Sequence, residues 1–137
     1  MKKRIYVLYA PGGNGHKSNA RTIKEAFNRK YADCEVILED VYDLGNSFLK
    51  FLLRIYDNLL KIDPKLVKYG HKMLSKINTD KNMVPIFPKV LERLKKRFRE
   101  VQPDLIVSVH SAINNFLAEA IKQLGWKNKN TFCNSMY

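Results

Sequence analysis

The run Ile5-Tyr-Val-Leu-Tyr-Ala10, followed at once by Pro11-Gly12-Gly13, decides the fold of this 137-residue chain. A short, continuous apolar run rich in β-formers is typical of a strand buried on both faces, as in a parallel sheet. The proline and glycines end that strand. Apolar residues then recur at helical spacing from Lys17 to about Tyr31, which predicts an amphipathic helix.

A second strand is predicted at Glu35–Glu39, followed by a loop that passes through Asp40 and Asp43 and ends at Gly45-Asn46. Strand, helix and strand in this order form a βαβ unit. Such a unit predicts an α/β fold with a doubly wound, Rossmann-like parallel sheet.

The middle of the chain interrupts this alternation with a helical insertion. Three helices are predicted there, at residues 47–62, 64–77 and 87–101. The alternation then resumes with another buried strand at residues 104–109, introduced by Pro103. His110-Ser111 is its predicted exit loop, and a helix from Ala112 to Leu124 follows, stopped by Gly125.

The last residues differ from the rest. Residues 128–137 carry neither helical nor strand periodicity, so we divide the chain into a domain at 1–126 and an atypical tail at 127–137. A shifted reading frame over Thr131–Tyr137 could encode a parallel strand where the next one is due. This favours the hypothesis of a frameshifted or truncated gene, which sequencing of the coding DNA would test.

Composition narrows the classes of function. A hydrophobic content of 45% is typical of a globular domain, and the formal charge of +12 attracts polyanions such as nucleic acids or anionic membranes. A solvated, lysine-rich surface is the alternative. Cys34 and Cys133 lie far apart and predict neither a zinc site nor a disulfide framework, which favours a reducing compartment. No stretch reaches the roughly 20 apolar residues of a membrane-spanning helix, so we expect any membrane contact to be peripheral.

The loop between the first strand and first helix, Pro11 to Ser18, carries the chemistry. Ligands of doubly wound folds bind at this end of the strands, where glycine amides and a helix N-terminus suit phosphate. His16 is a candidate proton acceptor there. The loop is not a P-loop, because His16 replaces the required glycine. A dinucleotide site with Glu39 as its acidic residue, and a simple tight turn, remain as alternatives.

Two motifs together resemble one family. The segment Gly12-Gly-Asn-Gly-His-Lys-Ser18 after a strand, and Pro103-Asp-Leu-Ile-Val-Ser-Val-His110 with its Ser-x-His ending, resemble the monogalactosyldiacylglycerol synthase and processive diacylglycerol glucosyltransferase family. The resemblance extends to about Trp126. Ser111 stands where that family often has proline, and Asn19 where a small residue is usual.

The resemblance implies the N-terminal, acceptor-side half of a GT-B glycosyltransferase of the inverting type. Such an enzyme would transfer a hexose from a UDP-sugar to diacylglycerol, with no metal and no cofactor. His16 would be the catalytic base. The implied substrate-binding residues are Gly13, Asn14, Gly15, Lys17 and His110. The UDP-sugar would bind to a second domain, so we expect the fragment alone to be inactive.

The segment at residues 47–62 predicts membrane binding. Its apolar stripe is wider than a core face needs and is interspersed with cations, which is typical of a helix at a lipid interface. The candidate membrane-binding residues are Phe48, Phe51, Leu52, Arg54 and Ile55. A helix buried between the core and a further domain is the alternative.

Three functions therefore remain open. The first is glycolipid synthesis on the inner, cytoplasmic face of the cell membrane, with diacylglycerol and anionic lipid as partners and no nucleic acid. The second is a catalytically inactive, lipid-binding fragment. The third is a basic nucleic-acid-binding α/β module, although the sequence has no recognised groove-reading motif.

Overall fold

A four-stranded parallel sheet lies at the centre of the computed structural model. Its strands are β1 (Lys3–Tyr9), β2 (Cys34–Asp40), β3 (Leu105–Ser108) and β4 (Asn130–Cys133), in the order β2-β1-β3-β4. The structure describes residues 2–9, 14–44, 88–110, 113–126 and 130–133, with the backbone alone at 14, 42 and 130–133.

Helices cover both faces of this sheet. They are α1 (Asn14–Lys30), α2 (Val41–Leu44), α3 (Pro88–Val101) and α4 (Asn114–Gln123). Helix α1 packs on one face, and α2, α3 and α4 contribute to the core cluster on the other. The α/β prediction with a doubly wound, Rossmann-like parallel sheet is confirmed.

Strand β1 is the buried centre of the sheet. The side chains of Ile5, Tyr6, Val7 and Leu8 are at most 3% exposed. They alternate between the two faces, because successive side chains of a strand point in opposite directions. Ile5 and Val7 join the cluster under α1, while Tyr6 and Leu8 join the cluster under α3 and α4. A continuous apolar run is therefore what both faces of this strand require.

Helix α3 supplies more buried residues than any other element to the core on its face of the sheet. The ring of Phe98 is fully buried and lies between Tyr6 and Trp126, at centroid distances of 5.9 and 5.7 Å. The helix ends where Gln102 adopts a positive φ of 48° and Pro103 follows. The predicted helix at 87–101 is confirmed to within one residue.

Helix α4 ends in a glycine cap, as predicted. Gly125 has a φ of 69°, a conformation that favours glycine over other residues. Its N–H donates to the Lys122 carbonyl, and the N–H of Trp126 donates to the Ile121 carbonyl. This pair of bonds is the Schellman motif, which satisfies carbonyls that the helix end leaves free.

Three expectations from the sequence need correction. Helix α1 begins at Asn14, three residues before the predicted start, because glycine is tolerated in a first turn whose N–H groups have no helical partner. The predicted loop after Glu39 is instead the end of β2 and the helical turn α2, which buries Leu44.

The third correction concerns the tail. Asn130–Cys133 forms strand β4, parallel to β3, in the reading frame of the given sequence. Four residues are too few for a periodic pattern to show, and hydrogen bonds to β3 define the strand instead.

Several predictions lie outside the described residues. They are the two helices at 47–62 and 64–77, the five candidate membrane-binding residues and Gly13.

Candidate functional site

The site lies where the carboxyl ends of β1 and β3 meet. These strands are neighbours in the sheet, with Leu8 aligned to Ser108. The chain passes from β1 to β2 on one side, whereas β3 and β4 lie on the other. The direction of winding therefore changes between β1 and β3, and open α/β sheets bind their ligands in the crevice at this point.

Two histidines meet at this edge. His16 lies in the first turn of α1, which follows β1, and His110 lies two residues beyond β3. Their ring centroids are 4.9 Å apart and their planes are inclined by 61°. Both side chains are half-buried. The structure thus brings together two residues that are 94 positions apart in the sequence, and whose side chains the sequence alone could not place in contact.

Ser108 holds the backbone of His110. Its buried hydroxyl donates to the carbonyl oxygen of His110 at 3.0 Å and accepts from the His110 N–H at 3.4 Å. The N–H of Val109 donates to the Leu8 carbonyl at 3.0 Å. A serine two residues before the histidine is placed for such local bonds. The Ser-x-His spacing signalled this role, but sequence reasoning gave Ser108 none.

Burial governs the charge of this histidine pair. Desolvation lowers the pKa of His110, and the positive charge of a protonated His16 lowers it further. Both effects disfavour the imidazolium form. Near neutral pH, His110 is therefore a neutral imidazole beside His16.

Two buried polar atoms at this edge meet no hydrogen-bond partner among the described residues. They are Nδ1 of His16 and Oδ1 of Asn114, at the starts of α1 and α4. More than 90% of such groups in native structures are satisfied, so an exception needs an explanation. A bound molecule or a residue outside the described set can supply the missing bond. Sequence reasoning missed Asn114, for which the motif gave no signal.

The remaining predicted site residues that the structure describes lie on the first turn of α1. The backbone of Asn14 begins the helix, and Gly15 and Lys17 are exposed to solvent. A methyl group added at Gly15 would meet no atom of the described residues within 4 Å. No acidic residue occupies this turn, so the partial positive charge of the helix N-terminus is not offset locally.

Glu39 is not available as a ribose ligand of a dinucleotide site. Its carboxylate accepts a hydrogen bond from the Tyr6 hydroxyl and is held by the Arg97 guanidinium through Nε at 2.9 Å and Nη2 at 2.8 Å. Arg97 also donates to Glu100. The nicotinamide alternative therefore loses its acidic residue.

The described residues form neither a metal site nor a membrane-spanning helix. Within the described ranges, no group of three or more histidine, cysteine or acidic residues is placed to hold a metal ion. Among the helices that the structure describes, none is long and apolar enough to cross a membrane.

Comparisons with known proteins identify relatives over nearly the whole chain. The chain is 29% identical over 136 residues to monogalactosyldiacylglycerol synthase, chloroplastic, of Spinacia oleracea. It is 25% identical over 134 residues to monogalactosyldiacylglycerol synthase 1, chloroplastic, of Arabidopsis thaliana. Each alignment covers 95% of this chain and 25% of the relative, so the chain spans about a quarter of their length. No solved structure matches significantly.

A family profile also matches most of the chain. The profile for monogalactosyldiacylglycerol (MGDG) synthase matches residues 16–136, from His16 through β3, His110 and β4. The match begins at one histidine of the site and includes the other. This coverage, most of the chain, shows that the protein belongs to the MGDG synthase family.

Proposed function

We propose that this chain is the acceptor-side domain of a glycosyltransferase that transfers a hexose from a UDP-sugar to diacylglycerol. The observation that carries the proposal is the half-buried imidazole of His16, which lies at the sheet's topological switch point in contact with His110. Family membership supports the same reaction. Since the relatives are named monogalactosyldiacylglycerol synthases, we propose galactose as the hexose.

His16 would act as the general base. It accepts the proton of the diacylglycerol 3-hydroxyl while that oxygen forms a bond to the anomeric carbon of the sugar. The bond from this carbon to the diphosphate breaks, and UDP leaves with the electron pair. Because the hydroxyl attacks from the face opposite the diphosphate, the configuration at the anomeric carbon is inverted. A base within hydrogen-bonding reach of the hydroxyl is worth roughly 100-fold or more in rate.

The start of α1 would stabilise the leaving group. Free backbone N–H groups at a helix N-terminus bind phosphate and diphosphate. Asn14 and Gly15 lie in this turn, and the exposed ammonium of Lys17 adds positive charge. We propose that a second, donor-binding domain of a GT-B enzyme closes over this edge, that the chemical step needs no metal or cofactor, and that this chain alone has no turnover.

We propose a peripheral location on the inner face of the cell membrane. The chain's formal charge is +12, and each basic residue near an anionic surface contributes about 1 kcal/mol. Exposed basic residues lie on α1 and α3, namely Lys17, Arg21, Arg29, Lys30, Lys89, Arg93, Lys96 and Arg99. The stripe at residues 47–62, with Phe48, Phe51, Leu52, Arg54 and Ile55, would supply the apolar contact.

A transfer assay tests the catalytic proposal. This chain would replace the matching quarter of the spinach synthase, and the fusion would be incubated with UDP-galactose and vesicles that contain diacylglycerol. We expect galactolipid formation and a roughly 100-fold or greater loss with His16→Ala. Asn28→Ala, at an exposed position of α1, is the matched control. Near-normal turnover of the His16 variant would remove the base.

Flotation of the chain itself tests the lipid proposal. We expect it to rise with vesicles of anionic lipid, more so with diacylglycerol, and to be released by salt because the contact is partly electrostatic. Binding to DNA but not to such vesicles would favour the nucleic-acid alternative. Binding to vesicles by a fusion without turnover would favour the inactive lipid-binding fragment.

A further inference from the structure

We infer that His110 is a positioning residue: its ring fixes the orientation of the His16 imidazole, and the Ser108 hydroxyl fixes the turn that carries His110. The catalytic meaning of this arrangement rests on the proposed function. The contact itself is a structural claim that can be tested without turnover. It assigns His110 a role other than the substrate binding that the resemblance implies.

Ser108 fixes the backbone of His110. Ser108 is 1% exposed and lies at the end of β3, whose backbone is fixed by pairing with β1. From this rigid position its hydroxyl bonds both the carbonyl and the N–H of His110. The carbonyl of His110 also accepts from the Ile113 N–H at 3.3 Å. The backbone of His110 is therefore bonded to a residue before it and a residue after it in the sequence.

The ring of His110 packs against the ring of His16. A centroid distance of 4.9 Å and an angle of 61° are in the range of edge-to-face ring packing. Because the His110 backbone is fixed, its ring restricts the positions that the His16 ring can occupy. A general base must be held in reach of the proton it accepts, and misplacement by about 1 Å can cost 100-fold in rate.

The charge of His110 also matters for His16. His16 becomes an imidazolium when it accepts a proton, and a charged neighbour at this distance would oppose that change. Burial keeps the pKa of His110 below its ordinary value, so this neighbour remains neutral. A neutral ring can thus support His16 through packing without opposing its protonation.

NMR of the 137-residue chain tests the contact. We expect nuclear Overhauser effects between the ring protons of His16 and His110. In Ser108→Ala these should weaken strongly, and the pKa of His110 should rise towards its ordinary value as the ring becomes more solvated. Ser108→Thr keeps the hydroxyl, so it should retain both the ring contacts and the lowered pKa of His110. Absent ring contacts in the wild type, or unchanged contacts in Ser108→Ala, would overturn the inference.

A second pair of variants changes His110 itself, which is only half-buried. His110→Phe keeps a ring of similar breadth and should retain contacts to His16, whereas His110→Ala should release it. Amide spectra would verify the fold of each variant. Equal mobility of the His16 ring in both variants would contradict a positioning role.

Kinetics of the spinach fusion separate positioning from acceptor binding. We expect His110→Ala to lower kcat roughly 10- to 100-fold with the KM for diacylglycerol unchanged, because the misplaced group is the base. A raised KM with normal kcat would instead assign His110 to acceptor binding. If the wild-type chain showed the ring contacts but the His16→Ala fusion kept its turnover, the proposed base would fail and the contact would stand. If the contacts were absent while His16→Ala lost turnover, only the positioning inference would fail.

Discussion

Two regions of this molecule handle buried polar groups in opposite ways. On the α3 face, the Tyr6 hydroxyl, the Glu39 carboxylate and the Arg97 guanidinium satisfy one another. At the carboxyl edge of β1 and β3, His16 Nδ1 and Asn114 Oδ1 are buried and meet no partner among the described residues. Both regions begin from β1, so a few residues separate a network that is satisfied internally from polar atoms that the described residues leave unsatisfied.

The difference separates stability from function. A buried polar group without a partner costs about 1–3 kcal/mol, and a catalytic role or a bound water or ion is a common reason for such a group in a native structure. We therefore expect variants on the α3 face to change the free energy of unfolding. Variants at the carboxyl edge should change turnover more than they change stability.

The largest expected effect belongs to Phe98→Ala. The ring is fully buried between Tyr6 and Trp126, so its removal leaves a cavity under α3. We expect a loss of about 3–5 kcal/mol in the free energy of unfolding, measured by urea denaturation. Arg99→Ala, at an exposed position of the same helix, should stay within about 0.5 kcal/mol. Equal effects would show that α3 does not pack as described.

Glu39→Ala should have the next largest effect. It leaves the buried Tyr6 hydroxyl without its acceptor, at a cost of about 1–3 kcal/mol. The Arg97 side chain is 37% exposed, so water compensates for much of its loss. Adding Tyr6→Phe to Glu39→Ala should recover part of the stability, because no orphaned hydroxyl remains. A double-mutant cycle measures this coupling, and strict additivity would contradict a satisfied network.

The sequence predicted the first of these regions only in part. The apolar run of β1 and the periodicity of α3 were sufficient to place both elements, because burial imposes a pattern of apolar residues that is visible in the sequence. The contact of Glu39 with Arg97 was not predictable, since it joins residues 58 positions apart without any local pattern. Glu39 was instead considered a ribose ligand, which its sequence position alone allowed.

The second region was predicted in its parts and not in its arrangement. The glycine-rich loop and the Ser-x-His ending identified His16 and His110. Their contact depends on β1 and β3 being neighbours, which is a property of strand order. The predicted start of α1 was late, because glycines argued against a helix in a turn that tolerates them. Strand β4 was missed because its short run has no periodicity.

Gly15→Ala tests the carboxyl edge by a smaller and opposite change in stability. A methyl group at this position meets no atom within 4 Å in the described part of the chain, and the backbone φ is not positive. Alanine exceeds glycine in helix propensity by up to about 1 kcal/mol, so the variant should be slightly more stable. We expect turnover of the fusion to fall nonetheless, because the methyl group hinders the approach of a diphosphate to the backbone. Unchanged turnover would show that no ligand needs this space.

The pH dependence of stability gives the last test. The pKa of His110 is lower in the folded chain than its ordinary value of 6.5. Well above pH 6.5 the residue is neutral in both the folded and the unfolded chain, so its burial carries no penalty for desolvating a charge. As the pH falls below 6.5, the unfolded chain binds the proton first and the free energy of unfolding decreases, until the pH passes below the folded pKa.

His110→Phe should remove this contribution. The difference in the free energy of unfolding between wild type and variant, measured by urea denaturation from pH 8 to pH 5, isolates the histidine because the carboxylates are common to both. We expect the wild type to lose stability relative to the variant as the pH falls. A constant difference would mean that His110 titrates as a solvated imidazole. His110 would then not stay neutral beside His16 through burial, and the electrostatic part of its proposed positioning role would fail.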